Sequence, residues 1–152
     1  MAKLVMMQGI SGSGKSTIAY YNVATADTVI VNLDAIREEL TGDAANQSAN
    51  KEVVAVAQRR TRNALMEGKT VIVDSTLIKN DWLDPWLAIA NDCGASVGIV
   101  LVRVKLATAL ARNAARNAAR QRQVPEHIIV RQHTDLQSFL YGGFDVQVIE
   151  ND

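Results

Sequence analysis

The chain has 152 residues, of which 48% are hydrophobic and 21% charged, and its 16 basic and 16 acidic side chains leave it without net charge. A chain of this length is expected to form one domain with a buried core. The zero net charge disfavours a protein that coats nucleic acid, and no apolar run reaches the roughly 18–20 residues of a membrane span. With a single cysteine, Cys93, and no recognisable signal peptide, the composition favours a cytoplasmic protein.

Predicted strands and helices alternate along the chain. The predicted strands are 3–8, 28–32, 70–73, 96–102 and 146–149, and the predicted helices are 16–24, 35–40, 50–67, 81–92, 106–120 and 126–140. Strands that are apolar throughout, rather than alternating, indicate a parallel sheet that is covered on both faces. The predicted fold is therefore a single α/β domain over residues 1–152, with a parallel five-stranded sheet and helices on both faces.

The segment between the first strand and the first helix, Gly-Ile-Ser-Gly-Ser-Gly-Lys-Ser-Thr at residues 9–17, has the complete P-loop pattern. Glycines let backbone N–H groups converge on an anion, and the N-terminus of the following helix adds positive potential. Lys15 is expected to reach the β- and γ-phosphates of a nucleoside triphosphate, and the Ser16 hydroxyl to ligate Mg²⁺. The other nucleotide-binding residues predicted here are Gly12, Ser13, Gly14 and Thr17. The alternative is a glycine-rich turn that only closes a βα unit.

Polar residues follow the second and third predicted strands. Because ligands of parallel sheets bind at the C-terminal ends of the strands, Asp34 and Arg37 are expected to face the triphosphate. Asp34 could accept a proton from an attacking hydroxyl, while Arg37 holds a neighbouring phosphate. After the third strand, Asp74 and Thr76 are expected at the same rim, where Asp74 contacts either the acceptor or the water shell of Mg²⁺. A helix- or turn-capping role is the alternative for both aspartates.

Basic residues are concentrated late in the chain, with seven Lys or Arg residues and only one acid between positions 103 and 133. Three arginines are spaced by four on a predicted Ala-rich helix and have no acidic residue three or four positions away: Arg112, Arg116 and Arg120. The segment at about 106–124 is expected to cover the P-loop as a lid whose arginines stabilise charge on a transferred phosphoryl group. A solvated helix face is the alternative.

These motifs together resemble the polynucleotide 5′-hydroxyl kinase family of P-loop phosphotransferases. The resemblance covers nearly the whole chain and rests on the P-loop, Asp34-x-x-Arg37, Val-Asp74-x-Thr76, and Arg-Asn-x-x-Arg followed by Val-Pro at 124–125. It implies a P-loop NTPase fold with an Arg-bearing helical lid. It also implies transfer of the γ-phosphate of ATP, or another NTP, with Mg²⁺ as cofactor, to the 5′-OH end of RNA or DNA in nucleic-acid repair.

The resemblance also implies residue roles. Lys15 and Ser16 would bind the triphosphate and Mg²⁺, Asp34 would be the general base on the 5′-OH, and Arg37 would bind the phosphate on the 3′ side of the acceptor nucleoside. Asp74 and Thr76 would place the acceptor strand.

One lid arginine would stabilise the transition state, and the sequence leaves its register open. Counting forward from the fourth strand selects Arg112 and Arg116, whereas counting back from the Val-Pro pair selects Arg116 and Arg120. Arg116 belongs to both registers and is the predicted essential arginine, with Arg112 and Arg120 as nucleotide-binding residues.

Other classes share parts of this pattern. Gluconate-, adenylylsulfate- and antibiotic-type kinases also combine a P-loop with a lid, but Arg37 beside Asp34 suits an acceptor that already carries a phosphate. An NTP-dependent switch is disfavoured because the Asn-Lys-x-Asp signature of guanine specificity is absent. A structural α/β protein with an inactive P-loop is a third alternative. RNA or DNA preference, NTP selectivity and oligomeric state are not predicted.

Overall fold

The structure is a computed structural model that describes residues 2–118 and 124–152. Within these ranges all strands join one parallel sheet in the order β2-β3-β1-β4-β5. The strands are β1 (Lys3–Gln8), β2 (Thr28–Asn32), β3 (Thr70–Asp74), β4 (Ser96–Arg103) and β5 (Asp145–Glu150). The predicted five-stranded parallel α/β fold is confirmed.

The helices of the described ranges are α1 (Lys15–Ile18), α2 (Leu33–Thr41), α3 (Asn50–Met66), α4 (Asp84–Asp92), α5 (Leu106–Ala118) and α6 (Glu126–Gln137). A π-helical turn at Ala19–Val23 extends α1, and short 3₁₀ helices at Gln47–Ala49 and Asn80–Leu83 precede α3 and α4. None of the helices in the described part of the chain has the length and apolarity that crossing a membrane requires.

The last helix is shorter than predicted, because it ends at Gln137 instead of residue 140. The side chain of Asn80 replaces the helical bonds of Leu140, since it donates to the Leu140 carbonyl at 2.8 Å and accepts from the Leu140 amide at 2.9 Å. A contact between segments 60 positions apart therefore decides where this helix ends.

Helices cover both faces of the sheet, as the apolar strands predicted. On one face, α1 and its π-helical turn pack on alternate strand residues, among them Val5, Met7 and Val102. On the other face, α3 and α4 pack on the intervening residues, among them Leu4 and Met6. A third apolar cluster joins the P-loop to α5 and α6 through Ile10, Val104, Ala109, Val124 and Ile129. This third cluster fixes the position of α5 above the loop.

The sheet register brings the C-terminal ends of three strands together. Met7 of β1 is paired with Asp74 of β3, and Asp74 is paired with Asn32 of β2. The P-loop and the segments after β2 and β3 consequently start from one edge of the sheet.

Candidate active site

The P-loop requires glycine at two positions for reasons of backbone angle and space. Gly12 has a φ of +86° and Gly14 a φ of +85°, which L-residues with side chains rarely adopt. A Cβ on Gly12 would lie 2.5 Å from the carbonyl oxygen of Ala109 in α5, and one on Gly14 would lie 2.5 Å from Nδ2 of Asn151. The glycine pattern therefore also permits the close approach of α5 and of the segment after β5.

Arg112 and Asn151 bind the backbone of this loop. Arg112 Nη1 donates to the carbonyl oxygens of Gly12 at 3.3 Å and Ser13 at 3.2 Å, and its Nη2 donates to the carbonyl of Asn151 at 2.6 Å. Asn151 Nδ2 also donates to the Ser13 carbonyl, at 2.8 Å. Arg112 thus adjoins the predicted nucleotide site, where its contacts in this structure stabilise the loop. Asn151 was missed by the sequence analysis because it belongs to no motif.

Asp34 and Arg37, the two residues expected after β2 to hold the acceptor, form an ion pair with each other. Arg37 Nη1 lies 2.6 Å from Asp34 Oδ1, and the side chain of Arg37 is 9% exposed whereas that of Asp34 is 47% exposed. Arg37 Nε also donates to Oδ1 of Asn50 at 3.0 Å. Two partners therefore fix the buried guanidinium, which in turn orients a carboxylate that is open to the site. Asn50 is a second residue that the sequence did not identify.

Neither aspartate has the capping role that was the alternative. The N-cap of α2 is Asn32, whose Oδ1 accepts from the amide of Ala35 at 2.8 Å, and Asp34 lies within the first turn of α2. Asp74 is the last residue of β3, is 4% exposed and accepts from Nδ2 of Asn32 at 2.8 Å. The single amide group of Asn32 thus caps α2 and positions Asp74.

A cavity of about 320 Å³ brings together predicted site residues from four separate segments, namely Lys15, Ser16, Asp34, Thr76 and Arg116. Ser11, Asn32 and Val124, which were not predicted as site residues, complete its lining. A smaller cavity of about 70 Å³ shares Lys15, Ser16 and Asp34 with it and adds Asp74 to the lining. Thr17 is exposed on α1 and lines neither cavity. Arg120 lies outside the described residues.

The predicted lid helix is tied down by Asn113, which is 1% exposed. Its Nδ2 donates to the carbonyl of Val124 at 2.6 Å, and its Oδ1 accepts from the Val124 amide at 2.8 Å. With α5 fixed in this way, Arg112 contacts the P-loop backbone and Arg116, four residues later, lines the cavity.

The residues of the loop and its surroundings fit a triphosphate with a bound cation. Gly12 and Gly14 have the positive φ angles that let successive backbone N–H groups of such a loop converge on an anion. The Ser16 hydroxyl and the carboxylates of Asp34 and Asp74 line the small cavity and supply the oxygen ligands that Mg²⁺ prefers. Residues 2–118 and 124–152 contain no group of three or more His, Cys, Asp or Glu side chains that could hold a metal alone. Magnesium would accordingly share its coordination with phosphate oxygens and water.

The strand order, the P-loop and the basic helix above it define a P-loop NTPase domain of the kinase type. The chain belongs to the AAA_33 family of AAA domains, whose family model matches residues 4–138. No curated protein sequence is significantly similar to it.

Solved structures with this fold include nucleic-acid repair and metabolic proteins. A chain of the Pnkp1/Rnl/Hen1 RNA repair complex has a TM-score of 0.80 and 23% identity, over 90% of this chain and 44% of its own length. A gluconokinase from Sinorhizobium meliloti 1021 has a TM-score of 0.64 and 16% identity, over 98% of this chain and 82% of its own. The AvrRxo1-ORF1:-ORF2 complex with ATP has a TM-score of 0.67 and 21% identity, over 91% and 48%. This chain thus spans less than half of the repair-complex chain, and at these identities the likeness concerns the fold.

Proposed function

We propose that this protein is an ATP-dependent polynucleotide 5′-hydroxyl kinase. The observation that carries the proposal is the Asp34–Arg37 ion pair, with 2.6 Å between Nη1 and Oδ1, in a cavity that Asp34 shares with Lys15 and Ser16 of the P-loop. A half-exposed carboxylate next to a phosphate-binding lysine suits proton abstraction from an attacking hydroxyl.

ATP with Mg²⁺ would supply the phosphoryl group and part of the charge neutralisation. Lys15 would bind the β- and γ-phosphates, and Ser16 would ligate the cation. Asp34 would accept the proton of the 5′-OH as its oxygen attacks the γ-phosphorus, the bond from the γ-phosphorus to the β–γ bridging oxygen would break with ADP as the leaving group, and Arg116 would stabilise negative charge on the transferred group. Thr76, on the same cavity wall, would orient the acceptor, and Asp74 would act through Asn32 or through the water shell of the cation.

The acceptor class rests on the role that the motif resemblance gives to Arg37, binding of a phosphate that neighbours the reacting hydroxyl, as at the 5′ end of a nucleic acid. In this structure the Arg37 side chain is 9% exposed and donates to Asp34 and Asn50, so an acceptor phosphate would have to displace one of these contacts. The fold likeness to a chain of an RNA repair complex supports this choice. Arg112 and Arg116 both adjoin the P-loop, which agrees with the first of the two lid registers, whereas Arg120 of the second register lies outside the described residues.

A second candidate is a kinase of a small alcohol. The likeness to a gluconokinase extends over most of both chains, which favours it. The two candidates differ in whether the acceptor needs a phosphate beside its hydroxyl.

The deciding experiment supplies γ-labelled ATP and Mg²⁺ with three acceptors: a 5′-OH oligonucleotide, the same oligonucleotide with a 5′-phosphate, and gluconate. Label transfer to the first acceptor alone is expected. Transfer to gluconate, with none to either oligonucleotide, would replace the proposal by the small-alcohol kinase.

A further inference from the structure

Besides the two cavities that form the candidate active site, Asp34 lines a further cavity of about 470 Å³ (the second cavity). It shares Ser16, Asn32, Asp34 and Asp74 with the cavities of the candidate active site, and it extends away from them to Tyr20, Glu38 and Arg60. One part of an acceptor molecule could bind in this cavity while its hydroxyl lies at Asp34, and the chain of atoms between the two would not pass over the P-loop. The volume suffices for a nucleobase and its sugar.

Tyr20 forms an aromatic wall of this second cavity. It is 66% exposed and lies on the π-helical turn after α1, which the bond from the Ala24 amide to the Ala19 carbonyl closes at 2.9 Å. π-Helical turns occur frequently at functional sites. Tyr21 packs edge-on against Tyr20, with 5.0 Å between the ring centroids, is 77% exposed and does not line the cavity. The two tyrosines therefore differ in location but hardly in exposure.

The charges of the second cavity disfavour a phosphate. Arg60 donates two hydrogen bonds to Glu39, at 3.3 and 2.7 Å, and this contact lowers the pKa of Glu39, so that the two form a neutral pair. Glu38 has no ion-pair partner within the described part of the chain. It adds a carboxylate to a lining that already contains Asp74 and Asp34, of which Asp34 is paired with Arg37. An uncharged ring with N–H donors is complementary to such a lining, whereas a phosphate is repelled.

We propose that the second cavity binds the 5′-terminal nucleobase of the acceptor, with Tyr20 against its ring face and Glu38 accepting from an exocyclic amino group. The inference rests on the proposed function, since it assumes a polynucleotide acceptor. It explains why an exposed tyrosine and an acid with no ion-pair partner in the described ranges adjoin the candidate base. A terminal cytosine or adenine is consequently preferred over uracil or thymine.

The test measures steady-state kinetics of Tyr20→Ala, Tyr20→Phe and the matched control Tyr21→Ala. The acceptors are 5′-OH oligonucleotides with a terminal cytosine, a terminal uracil or an abasic terminal sugar. Tyr20→Ala should raise the acceptor KM about tenfold or more on the cytosine substrate, through lost stacking, with the KM for ATP unchanged. Tyr20→Phe and Tyr21→Ala should behave like the parent protein. On the abasic substrate, Tyr20→Ala should have no effect.

Glu38→Gln gives an independent measurement, with the exposed Glu52→Gln as its control. The Glu38 variant should lose the preference for cytosine over uracil, and the control should keep it. Equal effects of the two tyrosine substitutions, or an undiminished Tyr20→Ala effect on the abasic substrate, would overturn the nucleobase site while leaving the kinase proposal intact. Failure of the parent protein to phosphorylate any oligonucleotide would overturn both.

Discussion

Arg37 and Asp34 form an ion pair at 2.6 Å in which the guanidinium is buried and the carboxylate is half exposed. The two side chains therefore have different surroundings. The arginine is held by protein groups, and the carboxylate faces the cavity that Lys15 also lines. Activity and stability should therefore depend on this arrangement and on the contacts that maintain it.

Asp34→Asn removes the proposed general base and keeps the size of the side chain. We expect kcat for phosphoryl transfer to fall about 10²- to 10⁴-fold, because the amide cannot accept the proton. Binding of ATP, measured by calorimetry, should change little. Asp27→Asn, at an exposed position before β2, is the control and should keep full activity. Persistent activity of the Asp34 variant would assign the base to another residue.

Asn50→Ala removes the second partner of Arg37. The guanidinium then loses the contact at Nε, and the Asp34 carboxylate loses its fixed orientation. We expect kcat to fall about 10- to 100-fold, since small misplacements of reacting groups have effects of this size. Asn50→Asp, which keeps an acceptor oxygen, should recover most of the loss. The control Asn91→Ala, at an exposed position, should leave kcat unchanged. If Asn50→Asp lowered kcat as much as Asn50→Ala, the positioning role would be contradicted.

Arg112→Ala and Arg116→Ala should fail in different ways. Arg112 donates to three backbone carbonyls around the P-loop, so its loss should lower the free energy of unfolding by about 1.5–3 kcal/mol and weaken ATP binding. Arg116 lines the cavity, so its loss should lower kcat about 10³- to 10⁵-fold with little change in stability. Urea unfolding and steady-state kinetics measure the two effects, with the exposed Arg131→Ala as control. Interchanged phenotypes would contradict the roles assigned to the two arginines.

Asn113→Asp tests the attachment of the lid helix. The substitution keeps the acceptor for the Val124 amide but replaces the donor to the Val124 carbonyl with a second oxygen. Because the site is buried, we expect a loss of about 1–3 kcal/mol in the free energy of unfolding, together with a lower kcat. Thermal and urea denaturation provide the measurement. Unchanged stability would mean that the bond from Asn113 Nδ2 to the Val124 carbonyl contributes nothing net.

Comparing Gly12→Ala with Gly42→Ala distinguishes the cost of a left-handed backbone from the cost of a steric clash with the added Cβ. Both glycines have positive φ, +86° and +78°, but only Gly12 has an atom near the position of the added Cβ, the Ala109 carbonyl at 2.5 Å. Gly42→Ala should cost about 1–2 kcal/mol through the left-handed backbone alone. Gly12→Ala should cost more and also abolish ATP binding, because α5 or the loop must shift. Similar unfolding midpoints for the two variants would argue against the close contact.

The structural roles of four asparagines show where sequence reasoning stops. Asn32, Asn50, Asn113 and Asn151 each bind a site residue or the lid, and their partners are 42, 13, 11 and 138 positions away along the chain. Asparagine is common in caps and turns, so its presence alone predicts no such contact. The early end of α6 was missed for the same reason, since the side chain of Asn80 binds Leu140 from 60 positions away.

The sequence by itself determined the donor loop, the order of strands and helices, and the acidic and basic residues at the strand ends. These features depend on local properties: glycine backbone freedom, apolar periodicity and the meeting of parallel strand ends at one edge. Only the tertiary structure decided that Arg37 is buried against Asn50, that Arg112 binds the loop while Arg116 lines the cavity, and that Tyr20 faces a second cavity at Asp34. Each of these depends on contacts between segments that only packing brings together, and no local pattern encodes them.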